Sequence, residues 1–224
     1  MIIKRKSIKA IIFDLDGTLI DSDKDILKII NFIRFNYLNK KKVQINKIAN
    51  YTAKGGNDLI KKTISKNKTK IYLNLFRDLY KNQKIRKGLV QPGVIKFLKF
   101  LKSKNIKIYI CTNKPKFLTS KIINSTKLVK YISKYFCSDE YFYKKPDKRF
   151  FLKIIKLIKI HKNKILYIGD SLIDYEFCKN SLLKFVLFKN KRVNYPKKIL
   201  LELYKSNKIL CTFENVTLLR KKFL

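Results

Sequence analysis

The apolar run from Ile8 to Phe13 stops abruptly at an acidic turn containing Gly17, the pattern of a buried strand that delivers its end to polar chemistry. From about residue 22 to 87 the periodicity changes. Ile26, Leu27, Ile29, Ile30 and Ile33 recur at helical spacing, as do Leu59, Ile60 and Ile64, and then Ile71, Leu73, Leu75, Phe76 and Leu79. No strand-like series interrupts them, so the pattern predicts a helical insert whose apolar stripes, Phe32 and Phe35 included, form a core. Pro92 and Gly93 then open a helix to about Lys104, carrying Phe97 and Phe100 inward, with Pro near the first turn, where its missing N–H is least disruptive.

Beyond that helix strands and helices alternate. Ile106–Cys111, Tyr135–Cys137, Ile165–Ile168 and Phe185–Phe188 read as short apolar strands, and Pro115–Asn124, Asp147–Ile160 and Leu172–Lys179 as the helices between them. A further strand near Cys211 and a helix over Val216–Phe223 complete the reading. Such alternation predicts an α/β fold, a doubly wound and mostly parallel sheet covered by helices on both faces. The sheet unit is discontinuous, residues 1–20 and 89–224, with the helical unit 21–88 inserted. In open sheets of this kind ligands bind beyond the carboxyl ends of the strands. Asp14, Thr112 and Asp170 follow separate apolar strands, Lys145 lies in a loop, and all four are expected to converge there.

Composition changes this picture less than its extremes suggest. The 224 residues carry 54 Lys or Arg against 15 Asp or Glu, a formal charge of +39. Such charge attracts phosphate polymers, but the lysines spread along the whole chain beside many Ile, Asn, Tyr and Phe, as a drift toward A/T-rich codons would produce. No nucleic-acid-binding motif accompanies them, and no specific nucleic-acid partner is expected. Lys interrupts every apolar stretch well short of a membrane span. The basic residues before Ile8–Phe13 precede too short an apolar run for a signal peptide. Four dispersed cysteines without a Cys-x-x-Cys pair fit reduced thiols in a cytoplasmic protein. His161, the single histidine, excludes multi-histidine metal sites and, placed between a helix and a strand, reads as a surface or capping residue.

Because acids are scarce, their placement is informative. Asp14, Asp16, Asp21, Asp23 and Asp25 crowd one stretch, and Asp170, Asp174 and Glu176 another, with Gly17 and Gly169 adjoining them. Asp21, Ser22 and Asp23 stand before a helix, where capping explains them. Asp14 and Asp16, on either side of Leu15, suit a carboxylate nucleophile and a general acid/base, and strand-end carboxylates including Asp170 can hold magnesium through hard oxygen ligands. The metal would offset repulsion between nucleophile and phosphate, while Thr112, Asn113 and Lys145 supply donors for charge on a transferring phosphoryl group.

Asp14-Leu15-Asp16-Gly17-Thr18, Thr112-Asn113-Lys114-Pro115, Lys145-Pro146-Asp147 and Gly169-Asp170-Ser171-Leu172-Ile173-Asp174, in that order, resemble the four motifs of haloacid-dehalogenase-superfamily phosphatases. Within that superfamily Thr112–Pro115 and Ala53-Lys54-Gly55-Gly56-Asn57-Asp58 are most similar to the phosphoglycolate phosphatase branch. The resemblance implies a sheet core with residues 21–88 as its cap, and a magnesium-dependent hydrolysis of a small anionic phosphomonoester, 2-phosphoglycolate first. Asp14 would form an aspartyl-phosphate, and Asp16 would protonate the leaving alkoxide and then activate water. The Asp14 carboxylate, the Asp16 carbonyl and the Asp170 carboxylate would bind magnesium. Thr112, Asn113 and Lys145 would hold the phosphate, Gly55 and Gly56 would form a loop over substrate, Thr18 would orient the turn and Asp16, and Asp174 would support the metal. Other small-molecule phosphatases of the superfamily and a sugar-phosphate mutase are the alternatives, with a non-enzymatic basic binding protein a remoter one. Asp16 favours phosphoryl transfer over dehalogenation, and Thr18 stands where the mutases commonly have Val. The family's usual Gly after the last motif's helix is absent around Asn180–Leu183.

Overall fold

A computed structural model describes residues 8–189, 195–205 and 209–211. Its strands are β1 Ala10–Phe13, β2 Lys107–Thr112, β3 Lys134–Cys137, β4 Ile165–Gly169, β5 Lys184–Phe188 and β6 Ile209–Cys211. They form one parallel sheet in the order β3-β2-β1-β4-β5-β6. All of β1 and β4 is buried, which is why both appear in the sequence as unbroken apolar runs. Side chains alternate across the sheet. Ile11 and Phe13 join one core with α5 (Val94–Ser103) and α6 (Lys116–Asn124), whereas Ala10 and Ile12 join a second with α8 (Lys148–Ile158) and α9 (Leu172–Ser181). A short α7 (Ser138–Tyr141) follows β3, and α10 (Lys197–Lys205) precedes β6. The expected helix over Val216–Phe223 lies outside the described residues.

Between β1 and α5 the chain forms α1 (Asp23–Leu38), α2 (Ile45–Thr52), α3 (Gly56–Thr63) and α4 (Thr69–Asn82). These helices share a third core of Ile26, Ile30, Ile33, Leu59, Leu73 and Phe76 among others, which Leu118 of α6 joins from the sheet unit. Helix α2 escaped the sequence pattern. Phe32 and Phe35 are corrections: they are 46% and 62% exposed, because Ile26, Ile29, Ile30 and Ile33 fix the buried face of α1 and leave them off it. Phe97 and Phe100 are buried as expected. Pro92 lies before α5, and Gly93 takes the cap position at φ 80°.

The linkers into and out of this helical unit run side by side. Asp21 N–H donates to Leu89 O at 2.8 Å and Gln91 N–H to Leu19 O at 3.0 Å. Arg86 clasps both, donating to Asp21 O, to Gly88 O at 3.2 Å and to the Asp25 carboxylate at 3.2 Å. His161 caps the short 3-10 turn Lys162–Lys164, its Nδ1 accepting from Asn163 N–H. Where the sequence lacks the usual Gly, Leu182 closes α9 in the left-handed region at φ 54°.

Candidate active site

Sheet order reverses direction at β1, which has β2 on one side and β4 on the other, so the carboxyl ends of these strands border the switch point where ligands bind. Asp14 N–H extends the β1–β4 pairing by donating to Ile168 O at 2.9 Å, which fixes the first acid at the strand tip. The chain then turns tightly. Gly17 at φ +85° closes the turn through its N–H to Ile20 O at 2.8 Å, and the fully buried Leu15 and nearly buried Leu19 anchor it to the core. Gly17 is required twice over: its φ is left-handed, and a Cβ there would lie 2.1 Å from Asp170 Oδ2. The acid after β4 is thereby held against the turn after β1.

Lys145 reaches this point from the loop before α8. Its Nζ lies 2.6 Å from Asp14 Oδ1, 2.6 Å from Asp174 Oδ1 and 3.0 Å from the Tyr167 hydroxyl, with almost no solvent exposure. Asp174 also accepts from Tyr167 OH at 2.8 Å and, through Oδ2, from the N–H and hydroxyl of Ser171 in a capping box that starts α9. All its acceptor positions are engaged, so it works as an anchor for Lys145. Burial pushes the Asp14 carboxyl up to about 7, with Asp174 and Asp16 adding to the rise and Lys145 opposing it. For Lys145 burial disfavours the charge, but Asp14 and Asp174 more than offset it and hold the ammonium protonated beyond the usual lysine range.

Asp16 points to a different neighbourhood. Ser22 donates to its Oδ1, and Lys114 Nζ lies 3.0 Å from the same oxygen. Lys114 is buried and stands 4.7 Å over the Tyr80 ring of α4, so it joins Asp16 to the helical unit. Asp16 raises the Lys114 pKa against the opposing effect of burial. Ser22 is therefore not the helix cap its position suggests: it makes no capping bond to α1.

Several expected residues take other partners. The Thr18 hydroxyl donates to Asp170 Oδ1 at 3.1 Å, so it positions Asp170 where the resemblance implies Asp16. The Asn113 side chain is committed to scaffolding: its Nδ2 donates to Ala53 O and Lys145 O, each at 3.1 Å, and its Oδ1 accepts from Lys145 N–H at 2.9 Å. Thr112, the last residue of β2, is buried, and its Oγ1 accepts from Lys114 N–H at 3.1 Å, leaving its proton able to donate elsewhere. Gly55 at φ +97° caps α3, and with Gly56 it lines a cleft that also opens on Asp16 and Lys114. A Cβ on Gly56 would lie 2.7 Å from Leu73 Cδ1 of α4, so α3 and α4 pack closely there and a larger residue would make the Leu73 side chain shift. Lys114, Tyr167 and Ser22 were not legible as site residues in the sequence, since a lysine among 54 basic residues carries no signal by itself.

The chemistry of the donor set fits a hard divalent cation. Carboxylate oxygens of Asp14, Asp170 and Asp174 lie within 4.8 Å of one another, all buried; Lys145 stands against Asp14 and Asp174, and Asp174, with its acceptors taken, supports the other two from behind. Oxygen ligands only, and an excess of buried negative charge, suit magnesium or calcium and not a thiophilic metal.

A family model of haloacid dehalogenase-like hydrolases matches residues 11–188, and the chain belongs to that family. Among its relatives, a phosphoglycolate phosphatase of Aquifex aeolicus is 29% identical over 179 residues, covering 80% of this chain and 84% of that protein. Phosphoglycolate phosphatase 1 of Pseudomonas aeruginosa is 27% identical over 172 residues, covering 73% of this chain; the match spans 62% of that relative's length. In fold, the chain is similar to a crystal structure from Haemophilus somnus described as a predicted phosphoglycolate phosphatase, with TM-score 0.80 at 21% identity, over 96% of this chain and 98% of that one.

Proposed function

We propose that this hydrolase is a magnesium-dependent phosphatase that converts 2-phosphoglycolate to glycolate and phosphate through an aspartyl-phosphate on Asp14. The observation that carries this reading is the division of labour between the two acids. Asp14 is buried against Lys145 at the strand tip, and Asp16 lines the cleft between the sheet and helices α1 to α4.

An Asp14 carboxylate oxygen attacks phosphorus, and the P–O bond to the leaving group breaks as Asp16 gives its proton to the departing alkoxide oxygen. Asp16, now ionised, takes a proton from water. That water attacks the phosphorus of the acyl-phosphate, releasing inorganic phosphate and restoring Asp14. Lys145 keeps Asp14 aimed, Asp174 and Tyr167 keep Lys145 aimed, and the Thr112 hydroxyl donates to a phosphoryl oxygen. Magnesium, held by the Asp14 and Asp170 carboxylates and the Asp16 carbonyl, would supply positive charge to screen nucleophile from phosphate. Residues 21–88 act as a cap over a core made of 1–20 and 89–224, with Gly55 and Gly56 at its substrate-facing edge.

The relatives' names support the choice of 2-phosphoglycolate, and Thr18, standing where the mutases commonly have Val, supports hydrolysis over the mutase alternative. The buried free thiols of Cys111, Cys137 and Cys178 fit a cytoplasmic setting. Among the described residues no helix is long and apolar enough to cross a membrane.

Phosphate release from a panel of phosphomonoesters, with and without magnesium, tests the assignment in wild type and Asp14→Asn. Loss of more than about a thousandfold in kcat in the near-isosteric variant is expected; undiminished release would remove Asp14 from the mechanism. Turnover of other esters with none of 2-phosphoglycolate would reject the substrate alone.

A further inference from the structure

The cleft beside Asp16 contains two groups that the chemistry above does not use. Leu73, Phe76, Arg77 and Tyr80 follow one another at helical spacing along α4, and all four line the cleft. The Tyr80 side chain is buried with the Lys114 ammonium beside it, and its hydroxyl makes no hydrogen bond of full geometry in the protein. A buried phenol left without a partner is costly unless a ligand or solvent supplies one. Burial pushes its pKa up to about 12, so it is a donor at neutral pH. One turn away, Arg77 is half-buried, and among the described residues it forms no ion pair. Lys114, by contrast, is already committed to Asp16.

Ile26, Leu59 and Leu118 join Leu73 and Phe76 in an apolar side of the cleft, and Thr52 and Asn113 add polar groups elsewhere in its lining. A hexose in this space would place several hydroxyls against hydrocarbon. A small leaving group with one anionic end would instead find a guanidinium and a phenol where it needs them, and the start of α3 at Gly55 and Gly56 adds positive potential. We propose that Arg77 and Tyr80 form the specificity subsite of this enzyme, binding a carboxylate carried by the leaving group of the phosphoester. The proposal rests on the phosphatase reading and adds to it the residues that select the substrate class.

The experiment compares kcat/KM for 2-phosphoglycolate and for its neutral amide, 2-phosphoglycolamide, in wild type, Arg77→Leu, Arg77→Lys and Tyr80→Phe. Wild type should prefer the carboxylate, and the preference ratio should fall roughly 10- to 100-fold in Arg77→Leu, as expected for losing a charged hydrogen bond, with a smaller fall in Tyr80→Phe. Arg77→Lys should retain part of the preference. A merely structural arginine would lower both substrates together and leave the ratio intact, which overturns the proposal. Equal wild-type turnover of the two esters overturns the subsite while sparing the phosphatase reading. Release of phosphate from neither ester, nor from others in the panel, refutes the phosphatase reading and the subsite with it.

Discussion

Replacing Lys145 by Met removes the one ammonium that lies 2.6 Å from both Asp14 and Asp174, and leaves an apolar stem of similar volume. Deleting one partner of a buried ion pair costs about 3–5 kcal/mol, chiefly because the other charge stays buried without compensation. Here the loss should depend on pH. In the metal-free protein the folded-state pKa of Asp14 is about 7, above its ordinary 3.8. A carboxyl raised on folding contributes stability that is complete below the unfolded value and is lost as pH rises through the folded value. Lys145 is the group that restrains this rise, so its removal moves Asp14 higher still. In acid both proteins hold Asp14 neutral and differ least; in base the variant must either keep a proton at growing expense or bury two carboxylates side by side. Urea unfolding in chelator should therefore show a deficit larger at about pH 8 than at about pH 5 by on the order of 1–2 kcal/mol. A deficit that is the same at both pH values, or below about 1 kcal/mol at the higher one, would refute the reasoning, since only a solvated pair behaves so.

Gly17→Ala forces a Cβ into Asp170 at a left-handed φ of +85°. It should lose at least about 2 kcal/mol and abolish the rise in melting temperature that magnesium gives wild type; melts with and without magnesium check both. Leu182 is 74% exposed and holds φ 54°, so it gives up strain without giving up packing when changed. Leu182→Gly should raise the urea midpoint by a gain of about 1 kcal/mol at unchanged slope, and a lowered midpoint would show that the strain is absent.

What the sequence made legible follows from where its signals are rare. Strands β1 and β4 are buried on both faces, so their periodicity is simply apolar, and carboxylates immediately after such runs stand out in a chain with 15 acids. Asp14, Asp16 and Asp170 could be singled out for that reason. Lys114 and Arg86 could not, because each has the same composition signal as any surface residue until the fold brings Asp16 or Asp25 to it. Ser22 precedes a helix and looks like its cap; that its hydroxyl serves Asp16 instead is decided by the tertiary turn at Gly17. Thr18 bonding to Asp170 spans two strands and has no local trace. Phe32 and Phe35 look like core by hydrophobicity alone, but four isoleucines set the phase of α1 and leave both outside its buried face.

The hydrogen bond from Asp21 N–H to Leu89 O means that the helical segment departs from the sheet and rejoins it at nearly one point. An excursion whose ends already touch adds little to the loop-closure entropy of folding the sheet, however long it is. Such a junction is a socket: a different insert, or a bare hairpin, can be attached there while β1 and α5 keep their packing. The acids at the strand tips and the residues that choose among substrates can then change at separate rates, the former fixed to the sheet and the latter, Arg77 and Tyr80 among them, exchangeable as a module.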